Sequence, residues 1–403
     1  MNPTDEIANE AMMIPRIIAQ ELTPMLSWFP VVSVTGPRQS GKSTLVKNTL
    51  PDYEYVNLED ETTRVSAIND PVGFIRSHSD RLIIDEAQYA PGLFSQIQVE
   101  ADKRSTMGQY VLSGSQNFLM EKRIGQSLAG RVGMLQLLPL SYEEALHAKP
   151  DLTVDEFMFR GGYPHLYDVP TPADIYFRNY TATYVSRDVA EYLDVRNLTD
   201  FNTFLRLCAE NAGNLLNLTA LARDAGVAFN TAKQWLSILE ASFIIFRLSP
   251  YSTNTRKRLV KTPKLYFYDN GLLNYLLGIH SMEDLLNDPK RGDVFENLII
   301  AETIKRYRNR NKDCELCFYR DTSQSEIDLV DATHRRDPKL IEIKSGMTAR
   351  PDFFKHLASV GEELSVPADR RMIVYRGMES FSSKNGRYVT AESYLRGGVN
   401  QAD

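Results

Sequence analysis

Between Ile14 and Pro30 the apolar residues recur at helical spacing, and the β-branched run Val31, Val32, Val34 that follows stops at Thr35-Gly36-Pro37. This pattern predicts a helix and then a buried strand. Short apolar runs at Tyr53–Leu58, Leu82–Ile84 and Tyr110–Leu112 alternate with helical stretches, which predicts a parallel sheet covered by helices. From 151 to 210 the spacing turns helical and aromatic, with Phe157, Phe159, Tyr163, Tyr176, Phe177, Tyr180 and Tyr184. Residues 213–250 predict a helix over Leu218–Asp224, a break at Gly226, a second helix through Thr231, Trp235, Leu236 and Leu239, and a strand over Phe243–Leu248. That is the element order of a winged helix-turn-helix. The last stretch predicts a helix over Val294–Tyr307 and strands over Glu315–Arg320, Glu326–Val330 and Leu340–Lys344. A helix near Asp352–Val360 and a strand over Met372–Tyr375 complete it. The chain reads as α/β in four units: a sheet domain over 1–150, a helical lid or linker over 151–210, a winged helix over 211–284 and a second α/β domain over 285–403. It contains no internal repeat and no low-complexity segment.

Composition bounds the function without naming it. With 43% hydrophobic and 24% charged residues, 22 Gly and 19 Pro, a collagen-like or wholly disordered chain is excluded. The net charge of −6 means that any contact with nucleic acid has to come from a local patch. Three cysteines cannot build a disulfide framework. The start, MNPTDEIANEAMM, carries acids where a signal peptide needs positive charge, and the apolar runs fall short of the ~18 residues that span a bilayer. A cytoplasmic protein with no membrane contact is expected.

The segment Gly36-Pro37-Arg38-Gln39-Ser40-Gly41-Lys42-Ser43 fits G-x-x-x-x-G-K-[ST] and stands where that motif must stand, after a buried strand and opening a helix that begins with Thr44. In such a loop the glycines let backbone N–H groups face a β-phosphate, Lys42 reaches the β/γ oxygens, and the Ser43 hydroxyl ligates Mg²⁺. Arg81-Leu-Ile-Ile-Asp85-Glu86 is a strand ending in two acids. Asp85 is placed to hold Mg²⁺ and Glu86 to orient and deprotonate the attacking water. The next strand ends in Ser113-Gly114-Ser115-Gln116-Asn117, a polar cluster any member of which could touch the γ-phosphate or the water, with Ser115 counted among the nucleotide-binding candidates. Arg131 is a candidate for the arginine that stabilises developing charge, supplied across a subunit interface, or else a plain surface arginine.

Taken together, GPRQSGKST, RLIIDEAQ, VLSGSQNFL and SLAGRVGMLQLLPLSYEE resemble the bacterial and archaeal AAA-type ATPases of the AAA_14 group, which are usually followed by a C-terminal region called DUF4143. Phe159-Arg-Gly-Gly-Tyr-Pro164, Arg187-Asp188 and Lys264-Leu-Tyr-Phe-Tyr-Asp269 are further landmarks similar to that family. The resemblance covers nearly the whole chain. It implies an ATPase core, a winged-helix segment and a terminal domain like the restriction-endonuclease fold.

In the last unit Glu296 lies on the opening helix, Asp328 on the second strand, and Glu342 and Lys344 on the third, two apart and so on one face. Carboxylates converging with a lysine from adjacent strands suit Mg²⁺ or Mn²⁺ and the activation of water against a phosphodiester. The order resembles the PD-(D/E)-x-K nuclease superfamily: Asp328, Glu342 and Lys344 match its motif and Glu296 its extra helical acid. The alternative is a nuclease-like fold kept as a binding module.

Residues 253–264, with Arg256, Lys257, Arg258, Lys261 and Lys264 and no acid, follow the winged-helix strand and could neutralise nucleic-acid phosphates; exposed hairpins carry such residues routinely. Cys314 and Cys317 lack two further ligands at zinc spacing and read as core or edge-strand cysteines. The expectation is a Mg²⁺-dependent ATPase, exchanging ATP and ADP, whose nucleotide state controls a nuclease-like, DNA-facing module. The alternative is a nucleotide-switched protein that binds a protein partner. A homo-oligomer is a further expectation.

Overall fold

The computed structural model describes residues 14–115, 120, 124–185, 198–251, 261–321 and 323–397. Gln116, Asn117, Arg187, Asp188 and residues 253–260 lie outside them.

Strands β1 (Val31–Thr35), β2 (Glu54–Asn57), β3 (Leu82–Asp85), β4 (Tyr110–Gly114) and β5 (Val132–Gln136) form an all-parallel sheet in the order β2-β3-β4-β1-β5. Strands β1, β3 and β4 are buried along their whole length, because helices cover both faces. Alternation along β1 feeds two cores. Val31 packs in one with Leu82 and Leu112, while Val32 and Val34 pack in the other with Leu45, Val46 and Leu135. The order places β4 between the strand that ends in the Gly36–Ser43 loop and the strand that ends in Asp85. Both features therefore open at the carboxyl edge of the sheet, where open α/β sheets bind ligands. Helix α1 (Ala19–Trp28) precedes the sheet and α2 (Lys42–Thr49) follows the loop.

Helices α3 (Val154–Arg160) and α4 (Ala173–Tyr180) lie in the predicted lid, followed by α5 (Leu198–Glu210). Then come α6 (Leu218–Asp224), α7 (Phe229–Ala241) and an antiparallel hairpin of β6 (Ile245–Pro250) and β7 (Lys264–Phe267). The landmark segments meet here. Asp269 accepts from the Gly162 N–H at 2.7 Å and caps α8 (Asn270–Leu277) through Leu272 N–H. A Cβ on Gly162 would lie 2.1 Å from the Leu140 carbonyl oxygen. These glycine-rich and aromatic motifs act as a joint between lid and hairpin.

Helix α9 (Arg291–Arg308) opens the last unit, followed by β8 (Leu316–Arg320), β9 (Glu326–Asp331), β10 (Lys339–Lys344), α10 (Lys355–Glu363), β11 (Arg371–Tyr375), the hairpin β12 (Phe381–Ser383) and β13 (Gly386–Thr390), and α11 (Ala391–Leu395). The expected boundary at 284/285 separates no sheet. Ser249 and Pro250 of β6 pair with Cys317 and Phe318 of β8, so one eight-stranded sheet runs β12-β13-β11-β10-β9-β8-β6-β7. The pairing covers the edge that a free-standing hairpin would expose. One core, from Leu138 to Leu395, likewise includes lid, hairpin and last unit.

Candidate functional site

The loop after β1 curls because two of its residues are left-handed, Gln39 at φ 60° and Gly41 at φ 92°. Gly36 is required by close approach: a Cβ there would lie 2.0 Å from the Leu137 carbonyl oxygen. Lys42, at the start of α2, is buried and folds back so that Nζ donates to the carbonyls of Gly36 at 3.1 Å and Pro37 at 2.8 Å. An ammonium thus stands inside the loop. Ser40 Oγ donates to the Pro37 carbonyl, and Arg38 reaches Tyr89 Oη at 3.3 Å and Glu59 at 3.6 Å. Two partners come from outside the motif. Arg16 Nη1 donates to the Ser40 carbonyl at 2.7 Å, and Tyr176 of the lid donates to Gln39 Oε1 at 2.7 Å.

On the acid side, Ser43 Oγ and Tyr55 Oη each donate to Asp85 Oδ2 at 2.5 Å, and Ser113 Oγ donates to Asp85 Oδ1. Burial and the adjacent carboxylate push the Tyr55 phenol well up, so it stays a donor. Glu86 has φ 53°, left-handed for a non-glycine residue. Its Oε2 accepts from the Gln88 side chain, from Ser115 Oγ at 3.0 Å and from Ser115 N–H at 3.3 Å. Backbone strain of this kind persists where the surroundings over-determine it. The polar end of β4 is therefore divided, with Ser113 on the first acid and Ser115 on the second. Sequence reasoning missed Tyr55 and Arg16, whose types and positions carry no motif, and it placed Ser113 and Gln88 in motifs without their contacts to Asp85 and Glu86.

A hydroxyl and a carboxylate 2.5 Å apart are oxygen donors of the kind Mg²⁺ takes beside phosphate. Next to the loop a cavity of about 350 Å³ is lined by Ile14, Arg16, Gly41, Thr44, Leu45 and Asn48 together with Leu140 and Pro164. Its lining is mostly apolar with a few polar groups, the make-up of small-molecule pockets in general. Arg131 does not join this site. Its carbonyl accepts from Val31 N–H at the amino end of β1, the edge opposite the loop, and its partly exposed guanidinium pairs with Asp102 at 2.5 Å. Four residues of strand separate it from the loop, roughly 13 Å, so it cannot serve its own chain's phosphates.

In the last unit Glu296, Asp328, Glu342 and Lys344 come together, with additions. Lys344 Nζ lies 2.6 Å from Glu342 Oε1 and 4.0 Å from Asp328 Oδ2, and Asp328 Oδ2 accepts from Ile343 N–H at 2.7 Å. Lys264 Nζ lies 2.6 Å from Glu326 and 3.2 Å from Glu296, whose Oε1 also accepts from Tyr266 Oη at 2.6 Å. Lys264 is thus corrected. Expected among phosphate-facing basic residues, it turns inward, 3% exposed, to meet carboxylates that the linear sequence places more than thirty residues on. Burial and repulsion from Asp328 raise Glu296 to about 7 and Glu342 to about 8. Burial opposes the charge on Lys264, but Glu296, Asp328 and Glu326 outweigh it and hold the ammonium protonated. Among the described residues no three His, Cys, Asp or Glu side chains stand as a metal-holding group. The expected metal set of Glu296, Asp328 and Glu342 is organised around ammoniums instead. The donor chemistry still suits a hard divalent cation, and Glu342 Oε2 is buried without a hydrogen-bond partner.

A run of buried bonds leads from one site towards the other. Arg16, bound to the Ser40 carbonyl, pairs with fully buried Glu144 at 3.2 Å. Glu144 Oε2 accepts from Asn309 at the end of α9 at 3.3 Å. Upstream on α9, Glu302 accepts from Tyr142 N–H at 2.8 Å and Lys305 donates to the Leu140 carbonyl at 3.1 Å. The same helix carries Glu296.

Residues 29–146 match the family model of an AAA domain, and 152–283 and 291–394 match two domains of unknown function, DUF8612 and DUF4143. An uncharacterized protein of Mycobacterium tuberculosis is 30% identical over 388 residues, covering 94% of this chain and 83% of the relative. One from Methanocaldococcus jannaschii is 23% identical over 357 residues, covering 81% and 76%. Among solved structures, the Walker-type ATPase of Pyrococcus abyssi aligns with 64% of this chain and 94% of that chain, at 17% identity and a TM-score of 0.44. Parallel sheet, phosphate loop and paired acids define an AAA-type P-loop protein. More narrowly, the chain belongs to the family of AAA-domain proteins with a C-terminal DUF4143 region that includes the mycobacterial relative. Among the described residues, no helix is long and apolar enough to cross a membrane.

Proposed function

We propose that the protein is a Mg²⁺-dependent ATPase whose nucleotide state governs a nuclease-like, DNA-facing C-terminal module. The observation that carries the ATPase half is the meeting of Lys42, Ser43, Asp85 and Glu86 at one sheet edge, with Ser43 Oγ 2.5 Å from Asp85. In this reading the loop N–H groups and Lys42 hold the β- and γ-phosphates, the adjacent cavity takes the base, and Ser43 and Asp85 hold Mg²⁺. The ion, when bound, screens the phosphate charge. Glu86, kept in place by Ser115 and Gln88, orients the attacking water and accepts its proton. Ser113 and Tyr55 keep the Asp85 carboxylate in a single orientation.

The link to the C-terminal module is supported by the buried bonds from Ser40 through Arg16 and Glu144 to α9. Helices α6 and α7 with the β6–β7 hairpin act as a winged helix, and Lys261 with the preceding basic residues contacts phosphates. A second reading, a nucleotide-switched protein-interaction module with a vestigial nuclease-like site, has its own support in the two ammoniums among the carboxylates. Phosphate release from ATP, measured with and without DNA, separates them. Stimulation by DNA supports the first reading, and hydrolysis indifferent to DNA supports the second.

A further inference from the structure

We infer that Lys264 is a built-in counter-ion of the C-terminal carboxylate site, an ammonium whose charge competes with a divalent cation for Glu296. The inference rests on the nuclease-like reading above. Glu296 comes from α9 and Glu326 from β9, and both would face a shared cation if the site held a metal. Instead they share Lys264 Nζ, at 3.2 and 2.6 Å. The lysine arrives on β7, a strand of the hairpin outside the helix and strands that supply the acids. Its side chain is 4% exposed, so its charge is answered by these carboxylates rather than by water. Tyr266, two residues on and on the same face of β7, fixes Glu296 Oε1 from the same strand at 2.6 Å.

The opposite half of the cluster shows where a cation is wanting. Glu342 is 6% exposed, and while Oε1 accepts from Lys344, Oε2 has no hydrogen-bond partner. A buried carboxylate oxygen left unsatisfied is costly unless something positive reaches it. A divalent cation would take carboxylate oxygens at about 2.0–2.6 Å, closer than the ammonium sits to Glu296. Lys264 and Tyr266 both lie on Glu296 Oε1, so an arriving divalent cation meets the ammonium's positive charge at the same carboxylate and competes with it.

The test uses the full chain without nucleotide and Mn²⁺ alone as probe, with free Mn²⁺ read by its paramagnetic resonance signal. Replacing the ammonium by an uncharged chain of similar length, Lys264→Met, should tighten Mn²⁺ binding by about tenfold or more, since a competing charge at contact distance is gone. Lys264→Arg keeps the charge and should stay near the wild type. Adding Glu296→Gln to Lys264→Met should remove the gain. If the wild type binds Mn²⁺ and Lys264→Met binds it no tighter, Lys264 is not a competitor and the inference is overturned, while the carboxylate site stands. If neither binds Mn²⁺ at millimolar concentration, the metal reading itself falls and takes the inference with it. Should Lys264→Met lose its circular-dichroism signature, Lys264→Gln replaces it under the same expectations.

Discussion

The phosphate loop and the C-terminal carboxylate cluster each hold a buried lysine, Lys42 and Lys264, with the half-buried Lys344 beside the second, and the difference lies in what these lysines hold. Lys42 donates to the neutral carbonyls of Gly36 and Pro37, whereas Lys264 and Lys344 sit against the carboxylates of Glu326, Glu296 and Glu342. For an ammonium that donates to backbone carbonyls, an arriving phosphate oxygen is a better partner than the carbonyl it replaces. An ammonium on carboxylates is already neutralised, and only a stronger cation improves on it. The first site is set to receive an anion and the second to exchange a cation. Electrostatics agrees: burial and crowding of acids lift Glu296 and Glu342 far above the usual carboxylate range.

The largest expected effect falls on the first site. Lys42→Ala should lower ATP hydrolysis by about 10²–10³-fold, the scale of one positioned charge stabiliser, with an unchanged circular-dichroism spectrum. Hydrolysis at the parental rate would break the contrast at its root. Next comes the joint between the sites. Glu144→Ala leaves Arg16, only 6% exposed, without its carboxylate, and chemical denaturation should show a loss of about 3–5 kcal/mol. A loss below about 1 kcal/mol, the value of a surface pair, would mean that the joint does not hold the two regions together.

The carboxylate cluster makes a pH prediction of definite sign. Glu342 is ordinarily near 4.5 and is raised to about 8 in the folded chain. The folded state therefore binds more protons than the unfolded state across that window, and the contribution is fully present below 4.5 and lost as pH rises through about 8. Glu342→Gln should remove this decline, so variant and parent converge near pH 5 and the variant gains relative stability towards pH 8–9, roughly one unit beyond the folded value. Parallel stability curves would contradict the crowding of acids. The smallest effect belongs to Arg131→Ala. Its exposed pair with Asp102 predicts an unchanged melting temperature, and its distance from the loop predicts unchanged hydrolysis in the dilute monomer. Hydrolysis that falls only in concentrated samples would place Arg131 at a neighbour's phosphates.

How much of this is legible in the sequence follows from how local each signal is. The loop and the acids of β3 are contiguous motifs, and the strands carrying them are continuous apolar runs, so local pattern alone is enough to place both. Strand β5 escapes such a reading. Its Val-Gly-Met-Leu-Gln run lacks alternation, because Gly133 makes room for α1, where a Cβ would meet Met25 at 2.4 Å and Phe29 at 2.8 Å. The β12–β13 hairpin escapes it too, its strands joined by the two residues Lys384-Asn385 ahead of Gly386. Lys264 shows the limit most clearly. A lysine at the end of a basic run reads as surface, and only the pairing of β6 with β8 turns it towards Glu296 and Glu326. The four charged residues of the second site are legible from element order, but long-range pairing is what adds Lys264 to them, and local pattern does not encode that addition.

The central claim, that nucleotide chemistry at the loop is tied to a DNA-facing carboxyl-terminal module, is tested most directly by ATP hydrolysis of the full chain titrated with DNA at low and raised salt. The account predicts a rate that rises with DNA, with stimulation that weakens as salt is raised because phosphate contacts release counterions. A rate identical with and without DNA at both salt concentrations would contradict it.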